Sequence, residues 1–305
     1  MNIKEYINNF GLRIFLSKAI RKPFYNNFSK LGIKICLINE NIIKKFLQKN
    51  VVHKVNYLNS TKPLFINTSV PKNDIIWTMW WQGLDKAPNI VKKCINNLKK
   101  KNPSRKVVVI TKKNYQKYVH LNSHIVQKLN KGEISVTHFS DIYRTNLLYI
   151  YGGVWIDSTV WVTKKIDDKI FEQDFYSIKT GKYTNDPSHG RWTTFFLEAR
   201  SNNNLLNFIR ECFEIYCKKY DLFIDYILFD YFIAIAIDNN DFFSEMVLEV
   251  PCNNRNTFVL QEKLNEAFTA DFFNDKTYLY KLTYKKNFLS KTKDGKPTFY
   301  SMLIK

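Results

Sequence analysis

Three ionisable side chains, Asp141, Arg144 and Asp157, lie on either side of the only Gly-Gly pair in the sequence. Asp141 and Arg144 are three residues apart, which puts them on one face of a helix. Asp157 follows a short apolar run and so ends a predicted strand, where open α/β sheets bind ligands. A carboxylate can hold a divalent cation, and an Asp/Arg pair can bind hydroxyls and phosphate. The group suits a phosphorylated sugar, although a surface ion pair and a capping Asp157 would have the same spacing.

The residues around this group predict the elements that position it. Ser140 is suited to cap a helix over residues 139–151, so Asp141 and Arg144 would lie in its first turn. Gly152-Gly153 would end that helix and turn the chain sharply into a strand that ends at Asp157.

Apolar runs elsewhere repeat this alternation of strand and helix. We predict strands at 74–80, 106–111 and 154–157, and helices at 88–100, 113–130 and 139–151. Strand-like pieces near 175–179 and 193–199 and helices at 203–220 and 223–237 follow. The pattern predicts an α/β fold with a mainly parallel central sheet flanked by helices.

The chain before this alternation is predicted to be a separate element. Residues 1–70 form a basic, helical N-terminal extension in this prediction, with breaks at Pro23 and Gly32, and residues 71–305 form the main domain. The amphipathic helices of the extension could pack onto that domain or lie on a membrane surface.

The composition limits what the charge can mean. With 45% apolar and 16% aromatic residues, and only 9 Gly and 8 Pro among 305 residues, the chain is neither disordered nor collagen-like. Its net charge is +20, but 39 of its cations are Lys and only 8 are Arg. Nucleic-acid readers rely on Arg for bidentate contacts, so we expect no nucleic-acid partner. A solvated Lys-rich surface, an anionic membrane or a phosphate-bearing ligand remain as explanations.

Cysteine usage and hydropathy predict the compartment. The five cysteines form no C-x-x-C pair, which is typical of reduced thiols in the cytosol. The sequence shows no secretory leader, and its most apolar run, 222–237, is too short to span a bilayer and contains two acids. We predict a soluble or peripheral cytoplasmic protein.

Two ordered blocks of sequence resemble a known family. Residues 140–157 read S-D-I-Y-R-T-N-L-L-Y-I-Y-G-G-V-W-I-D. This stretch resembles the core of glycosyltransferase family 32, in particular its capsular polysaccharide synthesis branch. Residues 76–83, I-W-T-M-W-W-Q-G, resemble the first strand of that branch. The likeness is good over 71–165 and weaker through 192–206, 225–231 and 280–283.

The resemblance implies a GT-A fold, a nucleotide-sugar donor, and transfer with retention of anomeric configuration. It also implies roles for the residues after the first strand. The ring of Trp80 would stack on the donor base, and Gln82 and Gly83 would border the same pocket.

Further roles follow for the three charged residues, which the resemblance makes the catalytic group. Asp141 and Arg144 would hold the donor sugar, with Arg144 also close to the diphosphate. Asp157 would be the first acid of a D-x-D motif and a ligand of Mn²⁺ or Mg²⁺. The third position of the motif is Thr159, and one carboxylate holds a divalent ion less well than two.

Three residues farther along could supply a second ligand. Asp225 and Asp230 interrupt an apolar helix, where unpaired acids are costly, so at least one is expected to cap, pair, bind the acceptor or bind metal. His189 lies on a predicted loop. For each of these a purely structural role stays open.

The sequence thus predicts a retaining transferase that moves a hexose from a nucleotide sugar, with UDP as the expected nucleotide, to a lipid-linked capsular or surface polysaccharide intermediate. The acceptor and the basic surface predict peripheral contact with an anionic membrane, at the inner face of a bacterial plasma membrane. Two alternatives remain, a GT-A-like scaffold with weak or no catalysis and a basic nucleic-acid-binding protein.

Overall fold

A five-stranded sheet lies at the centre of the protein, and the computed structural model describes residues 2–55 and 65–305. The strand order is β2-β1-β3-β6-β5, and a two-stranded sheet pairs β4 with β7. The strands are β1 (Ile75–Met79), β2 (Lys106–Ile110), β3 (Gly153–Ile156), β4 (Val160–Val162), β5 (Phe175–Ser177), β6 (Phe196–Ala199) and β7 (Leu279–Lys281).

The central sheet is mainly parallel. β1 pairs in parallel with both β2 and β3, whereas β6 is antiparallel to its neighbours β3 and β5. Four of the five strands therefore point in one direction, and the predicted α/β class with a mainly parallel sheet is confirmed. The three predicted strands at the start of the sheet are present within two residues of their expected bounds.

Helices cover both faces of this sheet. In the described ranges they are α1 (Ile3–Phe10), α2 (Leu12–Arg21), α3 (Lys30–Asn50), α4 (Asn89–Lys101), α5 (Ser123–Lys131), α6 (Val136–Tyr151), α7 (Asn204–Lys219), α8 (Leu228–Asn239), α9 (Asp241–Leu248), α10 (Val259–Lys263) and α11 (Phe299–Ile304).

The apolar run of β1 is buried on both sides. Because successive side chains of a strand point to opposite faces, Ile75 and Trp77 enter one cluster and Ile76 enters another. The first cluster is completed by α6, α7 and α8, and the second by α4 and β4. Such two-sided burial explains why the strands of a parallel sheet appear as continuous apolar runs.

Several predicted element bounds are wrong. The helix expected at 113–130 begins at Ser123, and the one expected at 223–237 begins at Leu228. Gly32 does not break a helix but lies in the first turn of α3. The prediction for Gly32 is wrong because Ser29, three residues earlier, is the N-cap of α3. The Ser29 side chain accepts a hydrogen bond from the backbone N–H of Gly32.

The N-terminal helices pack against the rest of the fold. Tyr6 and Phe10 of α1 and Leu47 of α3 belong to the same cluster as Trp77 of the sheet. The Tyr6 hydroxyl donates to the carbonyl of Ile224 at 2.6 Å. Of the two arrangements considered for these helices, packing onto the main domain is the one observed. Part of residues 1–70 lies outside the described ranges, and the domain boundary at residue 70 stays a prediction.

No helix in the described ranges has both the length and the apolar character that crossing a bilayer requires.

Candidate functional site

The turn from α6 into β3 sets the position of the site. Gly152 and Gly153 have φ angles of 65° and 88°, a backbone conformation that residues with a Cβ rarely adopt. A Cβ on Gly152 would overlap the Asn73 side chain, and one on Gly153 would overlap the backbone of Ile75. The glycine pair is therefore required for the sharp reversal that brings the end of β3 beneath α6.

The predicted pair of Asp141 and Arg144 is present on α6. Arg144 donates from Nη2 to the Asp141 carboxylate and from Nη1 to the carbonyl of Thr194. Both residues are buried, with side chains 10% and 5% exposed for Asp141 and Arg144. A surface ion pair is thereby excluded, because surface pairs keep their charges in water.

The predicted N-cap of this helix is wrong. Ser135 caps α6 by accepting from the backbone N–H of His138 at 3.2 Å, so Ser140 lies inside the helix. Asp141 and Arg144 consequently lie beyond its first turn. Both serines suit the cap by type, and the sequence signal did not distinguish them.

Asp157 comes directly after β3 and meets Arg144 at the edge of the sheet. Its backbone N–H donates to Phe195 at 2.9 Å, which extends the β3–β6 ladder by one residue. Its Oδ1 accepts from Trp155 Nε1 at 2.9 Å and lies 3.7 Å from Arg144 Nη1. The structure thus brings together the three charged residues predicted from the sequence.

A fourth charged residue, Lys281, completes the cluster. Its Nζ lies 2.6 Å from Asp157 Oδ2 and 2.9 Å from the hydroxyl of Thr159. The antiparallel pair of β4 and β7 aligns Lys281 with Val160, and the N–H of Leu282 donates to Thr159 at 2.9 Å. Sequence reasoning assigned no role to Lys281, which is 124 residues from Asp157.

The surroundings shift the pKa values of the two acids, Asp141 and Asp157, in opposite directions. Burial raises the pKa of Asp141 to about 6. The charge of Arg144 lowers this pKa and the charge of Asp157 raises it, but burial has the largest effect. Burial would raise the pKa of Asp157 too, but Lys281 and Arg144 outweigh it and hold that pKa below the ordinary value. The cluster therefore combines two acidic side chains with two basic ones, and Asp157 is the stronger acid of the two.

The residues after β1 lie at the same edge of the sheet. β1 and β3 are parallel neighbours in register at Trp77 and Trp155, so Trp80 leaves β1 at the edge where Asp157 leaves β3. Trp80 is half-buried, and its ring meets Tyr284 edge-on with centroids 5.1 Å apart. Gly83 donates to the carbonyl of Trp80 at 3.0 Å and closes a turn in which Gln82 is exposed. This position is compatible with the predicted contact with a donor base, which stays a prediction.

The three residues expected as possible further ligands have structural partners. Asp225 pairs with Arg21 at 3.0 Å, and His189 lies 3.1 Å from Glu40. Asp225 lies before α8 and not inside the helix as expected, but its ion pair confirms that at least one of the two acids has a partner.

Asp230 lies beside the cluster. It accepts from Trp192 Nε1 at 2.9 Å, and burial together with the charge of Asp186 raises its pKa to about 8. The preceding residue, Phe229, places its ring 5.6 Å from the guanidinium of Arg144. This raised pKa favours the protonated form of Asp230 at pH 7, and a protonated acid is a poorer metal ligand than a carboxylate.

The donor set around Asp157 does not fit a divalent cation. In residues 2–55 and 65–305 no three His, Cys, Asp or Glu side chains come together in a way that could hold a metal ion. Mg²⁺ and Mn²⁺ prefer several oxygen ligands, and both oxygens of Asp157 already accept from Trp155 and Lys281. Metal dependence stays a prediction that this geometry does not support.

Three comparisons with known proteins were made, and the family model bears out the predicted resemblance. A search of curated proteins finds no significant match. Among solved structures the chain is similar to one titled PaToxG Glycosyltransferase, with 14% identity, a TM-score of 0.34, and coverage of 78% of this chain and 93% of that one. The family model described as capsular polysaccharide synthesis protein matches residues 24–303, nearly the whole chain. The chain therefore belongs to the capsular polysaccharide synthesis protein family.

Proposed function

We propose that the protein is a retaining glycosyltransferase. In this proposal it transfers a hexose from a nucleotide sugar, with UDP as the nucleotide, to a lipid-linked capsular or surface polysaccharide intermediate. Membership of the capsular polysaccharide synthesis family supports the general activity. The observation that carries the proposal is the cluster of buried Asp141 and Arg144 with partly exposed Asp157 and Lys281, at the carboxyl edge of a mainly parallel sheet.

The two cations of the cluster suit a diphosphate. Arg144 is held over the ring of Trp155, with 5.1 Å between its Cζ and the ring centroid. Its Nε is buried and has no hydrogen-bond partner among the described residues. A guanidinium fixed by three neighbours loses little freedom when it binds an anion, so it can stabilise charge on a leaving diphosphate.

The Asp141 carboxylate suits the sugar. Asp141 pairs with Arg144 and keeps 10% of its side chain exposed, and a carboxylate there can accept hydrogen bonds from sugar hydroxyls. Trp80, at the same edge of the sheet, would stack on the base, with Gln82 and Gly83 bordering the base pocket. These roles are the ones implied by the family resemblance.

We assign same-face attack as the mechanism. The bond between the sugar C1 and the diphosphate oxygen breaks while the acceptor oxygen bonds to C1 on the same face. The acceptor proton passes to the departing diphosphate oxygen, whose negative charge Arg144 stabilises. A covalent adduct between sugar and enzyme, trapped with a fluorinated donor and found by mass spectrometry, would contradict this assignment.

Donor binding tests the proposal directly. We expect nucleotide sugars from a panel of UDP, GDP and dTDP derivatives to raise the melting temperature of the wild-type protein, because a ligand that binds only the folded state stabilises it. Asp157→Asn should abolish the shift, while Asp294→Asn, which changes an exposed acid, should leave it unchanged. A wild-type protein that no nucleotide sugar stabilises, with or without Mn²⁺, would contradict the proposal.

An apolar surface on the N-terminal helices supports the membrane part of the proposal. In the described ranges 17 large apolar side chains are exposed, and eight of these precede residue 40. Leu12, Leu16 and Ile20 lie at four-residue intervals along one face of α2 and are 47–58% exposed. Exposed Lys and Arg side chains lie among them, at positions 4, 13, 22, 30 and 34.

Apolar and basic groups on one surface are the features that bind anionic lipid interfaces. We therefore propose that this surface holds the protein at the inner face of the plasma membrane, near its acceptor. Phe28 and Leu31, which are 57% and 60% exposed, continue the surface into α3.

Vesicle binding tests this surface. We expect co-sedimentation with vesicles of phosphatidylglycerol and phosphatidylcholine, and less with phosphatidylcholine alone. Replacing Leu12, Leu16 and Ile20 with Ser should weaken binding at least tenfold, because each loses about 1 kcal/mol of apolar burial. Leu289→Ser, at an equally exposed site, is the control. Equal binding of the triple variant and the control would contradict the assignment.

A further inference from the structure

Lys281 contacts both ends of the triplet that resembles a D-x-D motif, where the resemblance implies a cation. Its Nζ contacts Asp157 and Thr159, the first and third residues of the triplet, at 2.6 and 2.9 Å. An ammonium group has three donors, and these two contacts use two of them. The Lys281 side chain is 20% exposed, and its third donor has no hydrogen-bond partner among the described residues.

The backbone fixes this lysine in place. Its N–H donates to Thr257 at 2.8 Å, and its strand pairs with β4 immediately after Thr159. The ammonium also lies 5.3 Å from the ring centroid of Phe195, on the β3–β6 side of the site. The lysine is thus part of a formed strand pair rather than a mobile surface side chain.

Charge explains why a lysine and a metal ion exclude each other here. A divalent ion bound to Asp157 would have to displace Lys281, which would leave an ammonium group next to a dication. Asp141 already pairs with Arg144, so Asp157 alone would have to offset both charges, and Thr159 adds no negative charge. With Lys281 in place, the charge of Asp157 is offset and one donor of the ammonium group is left for an anion.

We propose that the Lys281 ammonium takes the place of a divalent cation and binds the donor diphosphate directly, with Arg144. The inference rests on the proposed glycosyltransferase function, since it names how that site holds its donor. Asp157 and Thr159 are positioning residues in this account, because they orient the ammonium and need not touch the phosphate.

The binding of nucleoside diphosphates tests the inference without turnover. Calorimetry with UDP, GDP and dTDP would be run on the full chain, first in EDTA and then in 1 mM Mn²⁺. We expect wild-type affinity for the preferred nucleotide to differ less than about threefold between the two conditions. Lys281→Met should weaken it about 10- to 100-fold, the range for loss of a charged hydrogen bond.

Two further variants separate charge from structure. Lys281→Arg keeps a cation and should retain affinity within about tenfold of wild type, whereas Lys293→Met removes an exposed lysine and should change nothing. Thermal unfolding without nucleotide checks that each variant folds. Should Lys281→Met fail to fold, the comparison of EDTA with Mn²⁺ on the wild-type protein still decides.

The outcomes distinguish this inference from the proposed function. A gain of tenfold or more in wild-type affinity on adding Mn²⁺, or Lys281→Met binding as well as wild type, would overturn the role of Lys281 and leave the transferase standing. No binding of any nucleoside diphosphate by the wild-type protein in either condition would overturn both.

Discussion

The pH dependence of stability tests whether burial keeps Glu198 of β6 protonated in the folded protein. Its side chain is fully buried, and neither carboxyl oxygen has a hydrogen-bond partner among the described residues. It pairs in register with Val154 of β3, in the strand that leads to Asp157. Burial raises the pKa of Glu198 from 4.5 to about 9, so the folded protein keeps this group protonated at neutral pH.

The sign and size of the effect on stability follow from that shift. Above pH 4.5 the unfolded chain releases the proton while the folded chain retains it, so the free energy of unfolding falls as pH rises towards 9. Each pH unit in this window costs about 1.4 kcal/mol, which gives roughly 3 kcal/mol at pH 7. Gln has the shape of the protonated acid but does not ionise, and Glu198→Gln should remove this loss.

Urea unfolding at pH 5, 7 and 8 measures the difference. We expect the free energy of unfolding of Glu198→Gln to exceed that of wild type by about 3 kcal/mol at pH 7, or roughly 6 °C in Tm. At pH 5 the difference should be less than about 1 kcal/mol. Glu133→Gln, at an exposed position, is the control and should follow the wild-type pH dependence. Parallel pH curves for wild type and Glu198→Gln would refute the reasoning, because they would mean that Glu198 is ionised in the fold.

Three further changes address the site and its supports. Asp141→Asn should slow sugar transfer at least tenfold without weakening nucleoside diphosphate binding, and wild-type transfer should fall below about pH 6 as Asp141 protonates, an inflection absent from the variant. Asp225→Asn should cost about 2–4 kcal/mol in urea unfolding, because Arg21 loses a buried partner. Glu40 raises the pKa of His189, so Glu40→Gln should lower the free energy of unfolding by about 1 kcal/mol at low pH, where that histidine is charged, and by less as pH rises through the raised pKa.

The parts of the fold that sequence predicts well are those set by local pattern. The strands β1 and β3 are short apolar runs buried on both faces, and β2 is an apolar run that buries Val108 and Ile110. The Gly-Gly turn takes positive φ angles that favour glycine. The predicted group of Asp141, Arg144 and Asp157 follows from these elements. Helix starts were less predictable, since Ser135 and Ser140 are equally good caps by residue type.

The parts that sequence missed depend on contacts between distant segments. Lys281 reaches Asp157 only because β7 pairs with β4, a strand of three residues with no distinctive pattern. Asp225 finds its partner on α2, 204 residues earlier in the chain. The only signal for Lys281 before the structure was the weak resemblance at 280–283, which names no role.

The central claim is that the charged cluster at the end of β3 releases a nucleoside diphosphate from a nucleotide sugar. Release of the diphosphate, followed over time with a panel of nucleotide sugars, measures this directly in wild type, Asp157→Asn and Asp294→Asn. We predict release from one nucleotide class by wild type and Asp294→Asn, and a loss of at least 100-fold in folded Asp157→Asn. Equal release by Asp157→Asn, or none by the wild-type protein with any donor, would contradict the account.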